Sequence, residues 1–452
     1  MEDGVDFSTD KNMVEKLLFL YFLLLPFQFA LSPMEGFDVA LSRVAALGIG
    51  VLFLLERFRN GSWKLPKWEG LFPMMGFLLL ALFSALGALE PAWSVRKALF
   101  FLSFIPLWFV AVDTLSRGGR RMAERISLGF FFGAVSMAAL ALLQFLSQFV
   151  FSLDQILTVW LSRIYPIFLG ETFSQSIATY PSLLVNIGGE TILRATGVFP
   201  DPHVAAFYFG MALPFGLWFA LFAKEGKRSL FLCGSLILFL ADLCTFSRGG
   251  YVGLFGMILF FGAFSLYHYR KSMSSAWMKR ICFGIVGVLL LGVSISPVRE
   301  RLADTFSMTD GSNKARIALW QEASERIAMR SWLGYGLGNY PLAVKPSAEY
   351  REPIYIHNLY LDIWAELGIV GLLFFLLIFL FPVIKFFFSG RFSDAAFPAA
   401  LAMILFLNHS LFENTLFSVH IFPAILLFIA VLSCHNERIE SVSILTASVK
   451  KQ

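Results

Sequence analysis

One histidine and two arginines stand where their side chains could do chemistry. His357 ends a long polar loop and directly precedes a hydrophobic stretch. A neutral imidazole can accept a proton from a hydroxyl near pH 7. Arg194 precedes another hydrophobic stretch, and Arg248 occupies the tight turn 247–250. A guanidinium presents a rigid fork of donors to phosphate oxygens, so this set predicts a base beside a lipid pyrophosphate. A capping histidine and interface-anchoring arginines would show the same spacing.

Six further residues could assist this chemistry. Arg43 lies inside the second hydrophobic stretch and is a third candidate for holding phosphate. Asn358 and Glu366 follow His357 and could orient its ring or an acceptor. His203 is predicted to be a second polar contact, and His409 and Glu413 are predicted to lie behind the residues that contact the substrate. The sequence contains no HExxH spacing, no Asp-x-Asp pair and no Walker motif, so neither a metal site nor a cofactor is predicted.

The composition is that of a membrane protein. Of 452 residues, 58% are hydrophobic and 15% are charged, and the mean hydropathy is +0.72. Soluble domains average about 25% charged residues. Apolar stretches recur that are long enough to cross about 30 Å of hydrocarbon as helices. Continuous apolar runs such as 78–83 contradict the alternation of a β-barrel. The sequence therefore predicts an all-α integral membrane protein, with 1–452 as one polytopic domain in a lipid bilayer.

About twelve transmembrane helices are predicted. They lie near 17–32, 37–55, 70–89, 97–115, 126–151, 203–223, 229–246, 250–268, 281–297, 364–386, 395–412 and 416–433. Lysine and arginine concentrate in alternate short connections, and the positive-inside rule places those connections in the cytoplasm. Both termini are then cytoplasmic, and two long segments, 152–202 and 298–363, face the periplasm. The net charge of +5 comes largely from the inner loops and does not indicate a nucleic-acid partner.

The segment 298–363 is predicted to contain an amphipathic helix. Its apolar residues recur at roughly helical spacing, with charged residues between them, at Ile317, Trp320, Ala323, Ile327 and Trp332. Three glycines follow, at 334, 336 and 338, without the strand and helix that a dinucleotide-binding loop requires. They are predicted to end the helix and to let the backbone turn tightly above the bilayer.

Together these motifs resemble the bacterial O-antigen ligase/polymerase superfamily, whose members share the Wzy-C domain. The first matching pieces are Arg-x-x-Gly-x-Phe-x-x-Pro at 194–202 and Ser-Arg-Gly-Gly at 247–250. The helix from Arg316 to Trp320 follows, and then the glycine-rich run 334–340. The last piece begins with His357-Asn358 and ends at Leu372. The motifs cover about 194–372 in order. His203 departs from the pattern, because the family often has Asn there.

The resemblance implies a GT-C-like bundle in the bacterial inner membrane and a glycosyltransferase site on its periplasmic side. The donor would be a glycan on undecaprenyl pyrophosphate, and in ligases the acceptor is a sugar hydroxyl of lipid A–core. Carried over by position, Arg194 and Arg248 would bind the pyrophosphate, and His357 would activate the acceptor hydroxyl. A single base with in-line attack predicts inversion, and the arginines would make a metal unnecessary.

Three other interpretations stay open at this point. A polymerase of the same superfamily would use the same donor but join lipid-linked repeat units. A single dominant loop before His357 favours a ligase. A lipid or glycan transporter would instead place charges at mid-bilayer depth and show repeated halves, and neither is evident in the sequence. A non-catalytic scaffold would leave the clustered arginines unexplained.

Overall fold

The computed structural model describes residues 13–34, 37–60, 70–179, 182–223, 225–269, 298–301, 311–350, 352 and 354–449. The chain is mostly helical. In chain order, helices α1–α8 are Met13–Leu24, Leu41–Arg59, Leu71–Phe83, Pro91–Ser147, Leu153–Val159, Tyr165–Leu169, Glu171–Thr179 and Pro202–Phe222. Helices α9–α16 are Glu225–Cys244, Arg248–Tyr269, Gly311–Met329, Tyr340–Val344, Leu359–Phe379, Phe381–Ser389, Phe397–His409 and Ile421–Val449.

Several of these helices can cross a membrane, and the protein is a multi-pass membrane protein. Within the described ranges, four helical stretches are long and apolar enough to span: Pro91–Ser147, Pro202–Phe222, Arg248–His268 and Leu359–Ser389. Shorter apolar helices cover Leu71–Gly87, Phe397–His409 and Ile421–Asn436. The predicted span 281–297 lies outside the described residues. Phenylalanine rings fill much of the core, as where Phe130 and Phe215 pack against Phe428.

Two predicted boundaries differ from the structure. The first predicted span, 17–32, ends as an α-helix at Leu24, because Pro26 lies in a short 3-10 turn and cannot extend the helical hydrogen bonding. The chain then forms an antiparallel hairpin of strands β1, Ala30–Met34, and β2, Phe37–Ala40. The predicted spans 97–115 and 126–151 are two arms of α4, interrupted at Gly119, where φ is 64°.

The segment 152–202 is structured. It contains α5 to α7 and a second antiparallel hairpin, made of strands β3, Leu184–Ile187, and β4, Glu190–Leu193. These elements enclose a small apolar cluster that includes Ile156, Tyr165 and Leu193. The cluster fixes the end of β4, so Arg194 leaves the hairpin at a defined place. Its backbone N–H donates to the carbonyl of Leu183 at 2.8 Å.

A helix is present in this segment as α11, although it begins and ends earlier than the pattern indicated and buries only part of the predicted apolar side. Ala323 and Ile327 are buried, and Trp320 donates its indole N–H to the carbonyl of Ile356 at 3.0 Å. Ile317 is 40% exposed, and Trp332 lies beyond the helix end and is 73% exposed. The helix therefore packs one side on the chain that leads to His357.

Helix α13 is broken at Gly368, where φ is 67° and ψ is −174°. The carbonyls of Ala365 and Glu366 instead accept hydrogen bonds from Tyr335 N and Gly336 N, each at 2.9 Å. Residues 359–367 therefore form a separate short helix. As predicted, Gly334, Gly336 and Gly338 turn the backbone: all three adopt positive φ, between 71° and 97°. The loop that they form supports the short helix after His357.

The same loop is joined to the start of α4. Asn339 accepts from Glu90 N at 2.6 Å through its Oδ1, and donates to Ser94 Oγ at 3.0 Å. Lys97 forms an ion pair with Glu366, with Nζ 3.1 Å from Oε1. These contacts connect the first third of the chain to the helix that follows His357.

Candidate functional site

A polar cavity of about 280 Å³ lies where α8, α10 and α11 meet the residues before α13. Its lining residues come from six separate parts of the chain. They are Arg194, His203, Arg248, Arg301, Ala315, Arg316, Leu319, His357 and Glu413. Among the described residues of the lining, and with both histidines neutral, four arginines face one carboxylate. The cavity therefore carries an excess of positive charge and suits an anionic ligand.

His357 is held by Glu413. The distance from His357 Nδ1 to Glu413 Oε2 is 2.9 Å. An ionised carboxylate can only accept, so Nδ1 carries the hydrogen and Nε2 is left as a proton acceptor. Burial disfavours the imidazolium, but the hydrogen bond and charge of Glu413 outweigh it and raise the pKa of His357. The arrangement can orient a neutral imidazole and then stabilise the imidazolium that forms on proton uptake.

Glu413 lies between three partners. Arg316 donates from Nη2 to Glu413 Oε1 at 2.7 Å, and His203 Nε2 lies 3.6 Å from the same oxygen. Burial alone would raise the pKa of Glu413, but the hydrogen bond from His357 and the positive charge of Arg316 keep that pKa well below its usual range. The carboxylate is therefore ionised at neutral pH, although it is only 6% exposed.

Arg194 is almost fully buried and keeps one donor group uncommitted. Its Nε donates to the carbonyl of Thr245 at 2.6 Å, and Nη1 donates to the carbonyl of Ser182 at 3.3 Å. Its Nη2 has no hydrogen-bond partner in the described parts of the chain. Burial, together with the positive charge of Arg301, lowers the pKa of Arg194 to about 9, so the guanidinium stays protonated near neutrality. A buried donor of this kind favours an anionic acceptor.

Arg248 and Arg301 complete the cationic side of the cavity. Arg248 is the first residue of α10 and is 5% exposed. Arg301 donates from Nε to the carbonyl of Phe246 at 3.4 Å. Burying like charges together is unfavourable unless an anion offsets their repulsion. The cluster can therefore bind a ligand that carries more than one negative charge.

Behind the cavity wall, a chain of polar side chains fixes His203. Asp201 caps α8 by accepting from the backbone N–H groups of His203 and Val204. His203 Nδ1 lies 3.0 Å from Ser247 Oγ, and Ser247 Oγ lies 3.4 Å from His409 Nε2. His409 is fully buried and stacks on Phe207 with ring centroids 3.6 Å apart. His409 does not line the cavity, and its Nε2 is linked to His203 through the Ser247 hydroxyl.

Two non-glycine residues adopt positive φ in the described parts of the chain, and both belong to this region. Phe246, with φ of 50°, precedes Ser247 and Arg248. His357 itself has φ of 54°. Such backbone conformations cost about 1–3 kcal/mol and persist where surrounding contacts enforce them. For His357 these contacts include the capping of α13 by Asn358, whose Oδ1 accepts from Leu361 N at 3.1 Å.

The structure brings together most of the residues singled out from the sequence, but not all. His357, Arg194, Arg248, His203 and Glu413 line one cavity. Asn358 serves as a helix cap and donates to the carbonyl of Leu411 at 3.1 Å. Glu366 does not line the cavity and pairs with Lys97. Arg43 does not line it either, because it lies against α4 and donates to Ser103 Oγ at 3.0 Å.

Three residues of the site have no site role predicted from the sequence. Arg301 and Arg316 are two of many charged residues in 298–363, and the sequence does not show which of these charges face inward. Ser247 adjoins Arg248 in the predicted turn, but only the fold places its hydroxyl between two histidines. Among the described residues, no group of three or more His, Cys, Asp or Glu side chains is placed to hold a metal ion.

Comparison with known proteins confirms the resemblance found in the sequence. Residues 229–376 match the family model Wzy_C, described as O-antigen ligase. The match includes Arg248, Arg301, Arg316 and His357, and it ends before Glu413. No curated protein matches the chain. The family implies a glycosyl-transfer enzyme of the ligase or polymerase type, with lipid-linked glycan substrates and a membrane setting.

Proposed function

We propose that the protein is an O-antigen ligase: it transfers a glycan from undecaprenyl pyrophosphate to a sugar hydroxyl of lipid A–core. One observation carries the proposal. A histidine oriented by a buried carboxylate lines the same cavity as four arginines, three of which lie within the Wzy_C match. A base and an anion-binding cluster are the two parts that transfer from a sugar pyrophosphate requires.

The arginines act on the leaving group. Arg194 and Arg248 bind the pyrophosphate, and Arg301 and Arg316 extend the positive charge around it. Negative charge grows on the pyrophosphate as the bond from its oxygen to the anomeric carbon breaks. Donors held in place before the reaction therefore stabilise the transition state more than the ground state. In this proposal, the guanidinium groups supply the charge stabilisation without a metal ion.

His357 acts on the acceptor. Its Nε2 takes the proton of the acceptor hydroxyl while that oxygen forms the new bond to the anomeric carbon. Glu413 keeps the ring in the required tautomer and stabilises the imidazolium. In-line attack opposite the leaving pyrophosphate gives one displacement, so the transferred sugar inverts its anomeric configuration. His203 supports Glu413 from the other side, at 3.6 Å.

The membrane setting fits this chemistry. The proposed orientation places both termini in the cytoplasm and the cavity at the periplasmic face of the bacterial inner membrane. There the donor's pyrophosphate lies at headgroup depth, and its tail stays in the bilayer. Cleavage of the sugar–pyrophosphate bond supplies the free energy, so the reaction needs no nucleotide.

Reconstitution with defined substrates tests the proposal. The protein in proteoliposomes is given undecaprenyl-pyrophosphate-linked glycan and lipid A–core, and product size is measured by gel electrophoresis and mass spectrometry. Glycan attached to lipid A–core is the expected product, whereas lipid-linked glycan of increased length would identify a polymerase. His357→Ala should abolish turnover and leave the folded protein intact, with His268→Gln as the control. Full turnover by His357→Ala would eliminate His357 as the base.

A further inference from the structure

A second cluster of cationic side chains lies on α2 and α4, outside the cavity. We call Arg43, Arg96 and Lys97 the α2–α4 patch. Arg43 joins the two helices, donating from Nε to Ser103 Oγ at 3.0 Å and from Nη2 to the carbonyl of Leu99 at 3.4 Å. All three residues lie within the first two turns of their helices, so their charges meet at one end of the bundle.

Among the residues that the structure describes, neither arginine of the patch has an acidic partner. Lys97 is paired with Glu366, but no carboxylate in the described parts of the chain lies within ion-pair distance of Arg43 or Arg96. The guanidinium of Arg96 stacks on the ring of Tyr350 at 4.3 Å, and that of Arg43 lies 5.8 Å from the ring of Phe100. Arg43 is only partly exposed, and an uncompensated charge in such a setting is costly. An anionic ligand would offset that cost.

The surroundings of the patch are apolar and exposed. Val44 and Leu47 on α2 are each 45% exposed, and Val95 and Leu99 on α4 are 42% and 51% exposed. Exposed aliphatic side chains on and beside a helix that is long and apolar enough to span a membrane, as α4 is, can contact lipid tails. A ligand that satisfies both features has an anionic head beside the arginines and an apolar tail along these side chains. A lipid that bears phosphate has this chemistry.

The patch is also connected to the reactive histidine. Lys97 holds Glu366, which lies in the short helix that follows His357. At a rise of about 1.5 Å per residue, that helix places Glu366 roughly 10 Å from its start. Tyr350, under Arg96, precedes His357 in the same loop by seven residues. A lipid headgroup at the patch would therefore lie near His357, with room for sugar residues between its phosphate and the reacting hydroxyl.

From these contacts we infer that the α2–α4 patch binds the phosphate of the acceptor lipid, while the cavity binds the pyrophosphate of the donor. This inference rests on the proposed transferase function. The acceptor phosphate belongs to lipid A–core in a ligase and to a second lipid-linked glycan in a polymerase. Both present the same chemistry to Arg43 and Arg96, so both acceptors are included in the test.

Initial rates in proteoliposomes test the assignment, with the donor saturating and the acceptor varied. The double variant Arg43→Gln/Arg96→Gln should raise the KM for lipid A–core by about tenfold, because two charge-assisted contacts are lost. The KM for donor should not change. Lipid A–core stripped of phosphate by phosphatase treatment should show the same KM with wild type and variant. A parallel series measures the same KM values with lipid-pyrophosphate glycan as the acceptor in place of lipid A–core.

Lys345→Gln is the matched control, because Lys345 is an exposed cation of the loop before His357 and pairs with Glu352 at 2.6 Å. An unchanged acceptor KM in the double variant overturns the inference. An equal rise for acceptors with and without phosphate overturns it as well. If the double variant does not fold, the acceptor KM is measured on the single variant Arg96→Gln instead. This variant should fold, because Arg96 is exposed and its contact with the Tyr350 ring is on the surface. A threefold or greater rise in KM supports the patch.

A binding measurement separates this inference from the proposed function. His357→Ala protein is immobilised without donor, and its binding of lipid A–core is compared with and without Arg43→Gln/Arg96→Gln. Weaker binding on removal of the arginines supports the patch whether or not His357 is the base. Loss of binding to vesicles of anionic phospholipid, with unchanged binding of lipid A–core, would identify a bulk-lipid contact and overturn the acceptor assignment.

Discussion

His357 Nδ1 and Glu413 Oε2 lie 2.9 Å apart, although 56 positions separate the two residues in the chain. Glu413 lies in the connection between α15 and α16, whereas His357 precedes α13. The pairing therefore requires that these helices be packed correctly at one end. Because His357 is paired with Glu413, the pKa of His357 should depend on each partner of Glu413, and the pH dependence of transfer can measure this.

Removing the charge of Glu413 should change the pH dependence of transfer. The base must be neutral, so kcat/KM rises with pH through the pKa of His357, and Glu413 raises that pKa. Glu413→Gln removes the raising interactions, so the rising limb should move to lower pH. The maximal rate should fall about 100-fold as ring orientation is lost. Steady-state kinetics across pH provide the measurement. If the rising limb of kcat/KM moves to higher pH, or does not move, the pairing of His357 with Glu413 does not set the pKa of the base.

Removing the charge of Arg316 should move the same limb in the opposite direction. The positive charge of Arg316 lowers the pKa of His357, so Arg316→Gln raises that pKa further and shifts the rising limb to higher pH. Donor affinity should also fall, because one cavity guanidinium is lost. Arg326→Gln is the control, because Arg326 lies on the same helix but does not line the cavity. Its ion pair with Glu322 is weak, with Nη2 3.9 Å from Oε1. Equal effects of the two substitutions would rule out a specific role for Arg316.

Arg194→Lys should weaken donor binding although it keeps the positive charge. A lysine cannot make the contacts with Thr245 and Ser182 and still present a donor to the ligand. Loss of one charge-assisted hydrogen bond corresponds to about 1.5–3 kcal/mol, or roughly 10- to 100-fold in the KM for donor. Arg163→Lys, at an exposed position of the same segment, should have no effect. An unchanged donor KM in Arg194→Lys would remove Arg194 from the pyrophosphate site.

Much of this arrangement could be predicted from the sequence. Composition and apolar stretches were sufficient for the helical membrane class, because each span must satisfy its own backbone hydrogen bonds in lipid. Arg194, Arg248 and His357 were grouped by residue type and by their places beside hydrophobic stretches, and the structure places all three on one cavity. Their chemical roles remain predictions.

Other features depend on packing that the sequence does not show. Glu366 lies at helical spacing after His357, but it pairs with Lys97, which is 269 positions away in the chain. Arg43 matches the residue type expected to hold phosphate, yet α2 places it against α4. Arg316 is one of several charged residues on α11, and the inward-facing ones become evident only when the partner of the helix is known. Long-range contacts decide each of these cases.

The ion pair of Lys97 and Glu366 should stabilise the junction between α4 and the short helix that follows His357. Glu366 is 5% exposed, so Lys97→Met leaves a buried carboxylate without its partner and should destabilise the protein by on the order of 3 kcal/mol. The double variant Lys97→Met/Glu366→Leu should recover most of that loss. A double-mutant cycle on thermal unfolding in detergent measures the coupling. Additive effects of the two substitutions would show that the pair contributes no coupling energy.

Gly368→Ala should inactivate the protein by displacing the short helix after His357. Gly368 has φ of 67°, and a Cβ there would meet the backbone carbonyl of Trp332. The strained backbone alone costs about 1–3 kcal/mol, and relief of the clash requires the segment before Gly334 to move. That movement would release the hydrogen bond from Ile369 N to the carbonyl of Ser331, now 2.9 Å long. Thermal unfolding and turnover are measured together.

Gly48→Ala is the matched control for this substitution. Gly48 is a helical residue of α2, and a Cβ added there meets nothing within 4 Å. Alanine should therefore stabilise α2 by about 0.5–1 kcal/mol, because it restricts the unfolded chain and favours the helix. Turnover should stay at the wild-type level. If Gly368→Ala matched Gly48→Ala in both measurements, the break in α13 would have no part in positioning His357.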